Sequence, residues 1–178
     1  AKVDFVDIDP LTYNLSIQKL EQKLILSKKK NCLPKIIIPV HFAGQSCDMK
    51  SIYKLSKEYK FKIIEDASHA IGSSYANQKV GNCKYSSITI FSFHPVKIIT
   101  TAEGGVATTN NRKIAERLIR DRSHGINRNK KSFKKVSKDE IWNYQQVDLG
   151  FNYRMNDIQA ALGISQIQRL EEFINKRH

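Results

Sequence analysis

Cysteine, proline and glycine are all scarce in this chain of 178 residues, which holds 3, 4 and 8 of them respectively. So little glycine and proline excludes a low-complexity or collagen-like polymer. The cysteines, Cys32, Cys47 and Cys83, are odd in number, widely spaced and without a CxxC pair. That argues against a disulfide framework and a structural zinc site, and for reduced thiols in a cytoplasmic protein. No apolar run approaches the roughly 18 residues of a membrane span. Nor does a basic-then-apolar leader open the chain, where Ala1-Lys2-Val3-Asp4-Phe5 reads as a strand. A soluble, unexported chain with no membrane partner is expected. Acidic residues are few as well: 17 Asp+Glu against 30 Lys+Arg leave +13, which favours anionic partners. Residues 112–138 hold eleven basic side chains and only two acidic ones, Glu116 and Asp121, so +9 of the charge sits there. A solvated basic loop is the plain explanation of that cluster.

With 40% apolar residues the length suits one domain core. Three short apolar runs stand out: Lys35-Ile36-Ile37-Ile38-Pro39-Val40, Phe61-Lys62-Ile63-Ile64 and Ile88-Thr89-Ile90-Phe91. Their length and β-branched content predict buried strands. Between the first two, Met49, Ile52, Leu55 and Tyr59 recur at helical spacing behind Asp48, a plausible N-cap. Strand, helix and strand at this interval make a βαβ unit, hence a mostly parallel sheet with flanking helices. A further strand is expected over Gly104–Thr109, then a basic helix from Arg112 to Arg120. Residues 121–150 read as loop, and Asn156 to Lys176 as one long amphipathic helix. His178 follows a helical pattern with no stop signal, and a strand opens the chain without lead-in, so both ends read as cut through structure.

In an open parallel sheet, ligands bind beyond the carboxyl ends of the strands. Side chains placed there by the three runs are His41, Asp66, His69, Ser92, His94 and Lys97. Singly, each has a structural explanation: Asp66 as a turn or cap residue, His41 and His69 as satisfied structural histidines, Lys97 as one of 22 lysines. Position distinguishes Lys97, which follows a buried strand by six residues and precedes a Thr-Thr-Ala-Glu-Gly-Gly turn. Other motifs are missing: no GxxxxGK[ST], no GxGxxG, no HExxH. Gly44-Gln45-Ser46-Cys47-Asp48 lacks the closing glycine of a nucleophile elbow. Aromatics do not interleave with the basic cluster, which speaks against a nucleic-acid partner.

The run Phe91-Ser92-Phe93-His94-Pro95-Val96-Lys97 through Gly104-Gly105 resembles the cofactor-lysine motif of the DegT/DnrJ/EryC1/StrS aminotransferases. Val6-Asp7-Ile8-Asp9 is similar to the family's early strand, and Glu65-Asp66-Ala67-Ser68-His69 to its acidic cofactor motif. Gly150-Phe151-Asn152-Tyr153-Arg154-Met155 with Gln159-Ala160-Ala161-Leu162-Gly163 is similar to its helix-entry motif. In order and spacing the resemblance spans nearly the whole chain, and its wording is nearest to members on the pseudaminic acid route.

The resemblance implies an α/β fold, the central part of the large domain of a fold-type I pyridoxal-phosphate transferase, with residues 1–178 as a partial cofactor-binding domain. It implies pyridoxal 5'-phosphate as cofactor, held covalently by Lys97, which would also carry the reaction's proton. Asp66 would keep the ring nitrogen protonated, since an opposite charge favours the cationic form. His69 corresponds to the partner of the ring hydroxyl, Ser92 to a phosphate-binding hydroxyl, and Asn152 to an amide that crosses a homodimer interface to the other cofactor's phosphate. Glutamate would be the amino donor and a UDP-linked 4-keto-6-deoxy sugar the acceptor. Lys97 favours transamination over the dehydration of relatives that carry histidine there. Family members are roughly twice this long, so the 178 residues alone are expected to turn over little. Two alternatives stand beside this reading: a non-enzymatic polyanion-binding domain using residues 112–138, and a family member that binds the cofactor without transferring an amine.

Overall fold

In the computed structural model, which describes residues 1–127 and 142–177, the elements follow in chain order. They are α1 (Ile17–Lys29), β1 (Ile36–Ile37), α2 (Met49–Tyr59), β2 (Lys62–Asp66), β3 (Ser74–Tyr75), β4 (Gln78–Lys79), β5 (Ile88–Ser92) and β6 (Gly105–Thr108). Then come α3 (Arg112–Asp121), β7 (Ile126–Asn127), β8 (Gln145–Gln146), α4 (Asp157–Ile167) and α5 (Leu170–Asn175). Among the described residues no helix is long and apolar enough to cross a membrane.

The three apolar runs form the parallel part of a sheet ordered β1-β2-β5-β6. Ile37 pairs with Ile63, and Ile64 with Ile88. β6 runs antiparallel to β5, with Phe91 opposite Val106 and Ser92 opposite Gly105. The sheet is therefore mostly parallel, with an antiparallel edge strand that the βαβ pattern did not announce. Gly105 has a packing reason to lack a side chain, because a Cβ there would lie 2.7 Å from the Phe91 carbonyl oxygen.

One face of the sheet is covered by α1 and α2. Asp48 caps α2, accepting from the Ser51 N–H at 3.3 Å and from the Tyr75 hydroxyl at 2.6 Å. The helical spacing then buries Met49, Ile52, Leu55 and Tyr59 against Leu20, Leu24, Ile37, Phe61 and Ile63. Burial of a side chain such as Ile52 contributes about 1.5–3 kcal/mol relative to leaving it exposed. α1, not anticipated above, carries its own signals: Ser16 accepts from the Lys19 N–H at 3.3 Å, and Leu20 and Leu24 lie one turn apart on its buried side. On the opposite face Ile36, Ile38, Val40 and Ile90 are all exposed.

Two expectations are corrected. The amino end is not a regular strand: only Ile8 and Leu15 form an isolated bridge. Asp9 is the reason, because its Oδ1 accepts from the Leu11 and Thr12 N–H groups at 3.0 and 2.9 Å and folds the chain back at Pro10. The long carboxyl-terminal helix divides between Ile167 and Leu170. Arg169 is the non-helical residue there, and its N–H donates to the Gln166 carbonyl at 3.1 Å, closing a four-residue turn. Beyond the break Ile174 lies against Gly72, where a Cβ would come within 2.2 Å of its Cδ1.

The chain packs as two compact units, Ala1–Asn110 with Asp157–His178, and Asn111–Asn156, rather than the single one its length suggests. In the second unit Ile126–Asn127 pairs with Gln145–Gln146, within a span that reads as loop. Residues 128–141 lie outside the described residues. Arg120 and Arg117 of α3 reach Asp148 at 3.3 and 3.9 Å, and Tyr153 N–H donates to the Arg122 carbonyl at 2.9 Å.

Candidate functional site

Alternation along β2 and β5 decides which side chains share a face. Asp66 is in register with Ile90 and bridges to Val40. Ser92 lies two residues beyond Ile90, so Asp66 and Ser92 stand on the same face at the carboxyl ends of neighbouring strands. Both are half-buried. Asp66 is fixed three times: Ser68 N–H donates to its Oδ1 at 3.0 Å, its own N–H donates to the Pro39 carbonyl at 2.9 Å, and its carbonyl accepts from His41 N–H at 3.0 Å. The Ser92 hydroxyl oxygen accepts from the His94 N–H at 3.4 Å.

Lys97 lies in the loop that joins β5 to β6, at that same edge. The loop is closed at Phe93, whose N–H donates to the Gly104 carbonyl at 2.9 Å. The Phe93 carbonyl in turn accepts from the Thr101 N–H at 3.0 Å and the Thr100 hydroxyl at 2.9 Å. Ile99 and Thr101 are buried, which anchors the loop, while Lys97 is half-buried. His94 is exposed, with Nε2 3.9 Å from Glu103, and takes part in the loop's own surface. His69 follows β2, exposed, with its ring edge-on to Phe42 at 6.2 Å. Asp66, His69, Ser92 and Lys97 thus belong to one unit. Asn152 belongs to the other, exposed, at a backbone bridge to Ser123.

His41, expected among the strand-end side chains, faces the other way. Its neighbour Val40 shares a face with Asp66, so His41 enters the core and is fully buried. There its Nε2 meets Glu65 Oε2 at 2.8 Å. The Cys47 N–H donates into Nδ1 at 3.1 Å, which places the ring hydrogen on Nε2 and makes Glu65 its acceptor. Glu65 also accepts from the Ser86 hydroxyl and, at 3.0 Å, from the Thr89 hydroxyl. Burial pushes the Glu65 carboxyl up, but the hydrogen bonds from His41 and Ser86 outweigh it and hold the group below its ordinary 4.5. The signal for this cluster was in the sequence: if Asp66 faces the strand-end side, Glu65 must face the core and needs buried donors.

Charge elsewhere is arranged differently. Arg112 pairs with Glu116 and Arg117 with Asp121, each at 2.8 Å, so part of the basic cluster is matched within its own helix. Residues 128–138 of that cluster lie outside the described residues. A cavity of about 450 Å³ lined by Tyr53, Lys57, Lys62, Lys84, Tyr85 and Ser86 opens at the amino ends of β2 and β5, the end opposite Asp66 and Ser92. Its Lys57 lies in the last turn of α2, where a cation offsets the helix dipole. The strand-end group is the better site, since carboxylate, hydroxyl and amine come from separate segments to one edge.

The family model described as DegT/DnrJ/EryC1/StrS aminotransferase family matches residues 1–178. The UDP-4-amino-4,6-dideoxy-N-acetyl-beta-L-altrosamine transaminase of Campylobacter jejuni is 41% identical over 177 residues, covering 99% of this chain and 43% of the relative. The GDP-perosamine synthase of Caulobacter vibrioides is 38% identical, over 97% of this chain and 41% of its own length. Among solved structures, Helicobacter pylori PseC, an aminotransferase involved in the biosynthesis of pseudoaminic acid, superposes with a TM-score of 0.79 at 36% identity, over 94% of this chain and 40% of that one. Spr1654 of Streptococcus pneumoniae, assigned as a sugar aminotransferase and solved in its PLP form, superposes with a TM-score of 0.76 at 29% identity, over 97% of this chain and 44% of that one. The chain thus spans less than half the length of these relatives.

Proposed function

Because the chain belongs to the DegT/DnrJ/EryC1/StrS aminotransferase family, we propose that its protein transfers an amino group, with pyridoxal phosphate, to C4 of a UDP-linked 4-keto-6-deoxy sugar. Glutamate is the donor in this reading, the cytoplasm its setting, and a homodimer the working form. The observation that carries the proposal is the single-edge grouping of Asp66 and Ser92 on one face, with Lys97 held in the closed loop beside them. The transaminase and PseC relatives support the substrate class.

The residues present suit the cofactor chemically. A fixed carboxylate, a hydroxyl and a primary amine are the three groups that its ring nitrogen, phosphate and aldehyde need. When bound, pyridoxal phosphate supplies an aldehyde that takes up the amino group and a protonated ring that accepts electrons. Asp66 keeps the ring nitrogen protonated by opposite charge. The Ser92 hydroxyl would donate to a phosphate oxygen, and the His69 imidazole would hydrogen-bond the ring hydroxyl. Lys97 Nζ would hold the cofactor through its aldehyde and, as a free amine, would serve as the base that carries the reaction's proton. Asn152 is the residue lent to a partner's phosphate. Turnover draws on the further length that the relatives have, so the 178 residues alone give little.

Borohydride reduction after addition of pyridoxal phosphate, followed by peptide mapping, tests the assignment. Selective labelling of Lys97, lost in Lys97→Ala, is expected, together with a fall in transamination by the intact protein of at least ~10²–10⁴-fold. Labelling spread evenly over the lysines would sink the reading.

A further inference from the structure

A carboxylate hydrogen-bonded to an imidazole in a small core calls for a reason. His41 and Glu65 are both buried, and a buried carboxylate with its hydrogen-bond partner is commonly no more stabilising than apolar side chains of the same volume. What the pair does is join segments. His41 begins the turn after Val40 and is held by the Cys47 N–H. Glu65 belongs to β2, Thr89 to β5, and Ser86 to the lead into β5. Through Glu65 the side chains of all these segments meet within one hydrogen-bonded group.

Those same segments supply the backbone that surrounds Asp66. Pro39 accepts its N–H and His41 donates to its carbonyl, while Ala67 N–H, next along, donates to the Ile90 carbonyl at 2.8 Å. Asp66 and Glu65 are adjacent and face opposite sides of the sheet. Locking Glu65 on the core side therefore fixes the position and twist from which Asp66 projects on the other. A carboxylate that must meet a ring nitrogen has to be held to about 0.5 Å, and that precision comes from the shell behind it.

We propose that His41 and Glu65, with Ser86 and Thr89, are positioning residues for Asp66, setting where its carboxylate meets the cofactor's ring nitrogen. The proposal rests on the cofactor reading above. It assigns these residues no contact with cofactor or substrate.

The test binds pyridoxal phosphate, labelled with ¹⁵N at the ring nitrogen, to the intact protein and to two variants, Glu65→Gln and the apolar double replacement His41→Leu with Glu65→Met. Urea unfolding first establishes that each variant folds. Positioning predicts that the folded variants bind the cofactor about tenfold or more weakly. The ¹⁵N shift at pH 8 would also move toward that of Asp66→Asn, the reference for a ring nitrogen without its carboxylate. A folded variant with the parent's affinity and the parent's shift overturns the proposal, because a purely structural pair changes only the urea midpoint. Should neither variant fold, Ser86→Ala and Thr89→Val each remove one donor. A graded shift supports the proposal, and an unmoved one overturns it. If Asp66→Asn itself leaves the parent's shift unchanged, the cofactor reading of Asp66 fails and this proposal falls with it.

Discussion

Glu65 is subject to opposed pulls that make its titration informative. Burial raises its carboxyl, and donors from His41 and Ser86 lower it further than burial lifts it, below 4.5 in the folded chain. The unfolded chain therefore binds more protons near that value, so this group's stabilisation is fully present above pH 4.5 and is lost as pH falls through the folded value. A urea midpoint that holds from pH 7 to 5 and then drops is expected, with a shallower drop in Glu65→Gln. Cys47 behaves in the opposite sense: burial pushes its thiol up to about 11. A thiol reagent at pH 8 is expected to label the exposed Cys32 promptly and Cys47 only on unfolding, as mass mapping over time would show. At this scale the strand-end position of Asp66 and the loop position of Lys97 were legible, because the apolar runs that precede them mark the strands. His41 was placed on the wrong side because strand alternation was not carried past Val40, where it would have turned the imidazole inward toward Glu65.

Elements were legible where a cap and a period coincide. Asp48 and the spacing of Met49, Ile52, Leu55 and Tyr59 defined α2 within a residue of its observed start. α3, forecast over Arg112–Arg120, ends at Asp121. Errors arose where the backbone turns, at Asp9 through its side-chain carboxylate and at Arg169 through its own N–H. Neither departure breaks the apolar period, so periodicity alone could not reveal it. β6 depends on closeness rather than pattern. Gly105→Ala would set a Cβ 2.7 Å from the Phe91 carbonyl oxygen, a backbone atom that cannot rotate away. The expected result is a loss of ~1–3 kcal/mol in urea unfolding, the range for overpacking. Hydrogen exchange at the β5–β6 amides should quicken more than that at β1–β2.

At the scale of the molecule, the family was legible from four motifs that resemble it and the mostly parallel α/β core from three apolar runs, whereas the division into two units was not. Among its described residues the second unit is joined by backbone pairing and by arginine contacts to Asp148, neither of which has a periodic signature. Its Asn152 supplies the dimer prediction. Asn152→Ala in the intact protein is expected to weaken cofactor binding about tenfold, near the ~1.5–3 kcal/mol of a hydrogen bond to a charged group, while sedimentation still reports a dimer. An unchanged affinity would remove Asn152 from the phosphate site.

The seat of Ile174 on Gly72 has a consequence for the order in which a ribosome can finish this fold. The sheet strands, Asp66 and Lys97 are all synthesised before residue 110. The turn that follows His69 meets Ile174 only after a further stretch of some hundred residues has emerged, a matter of ~5–20 s at typical elongation rates. During that interval the nascent chain has its strand ends in place while the turn beside them lacks its covering side chain. That turn packs later than the strand ends beside it, and a stall in translation before Ile174 leaves it accessible to proteases.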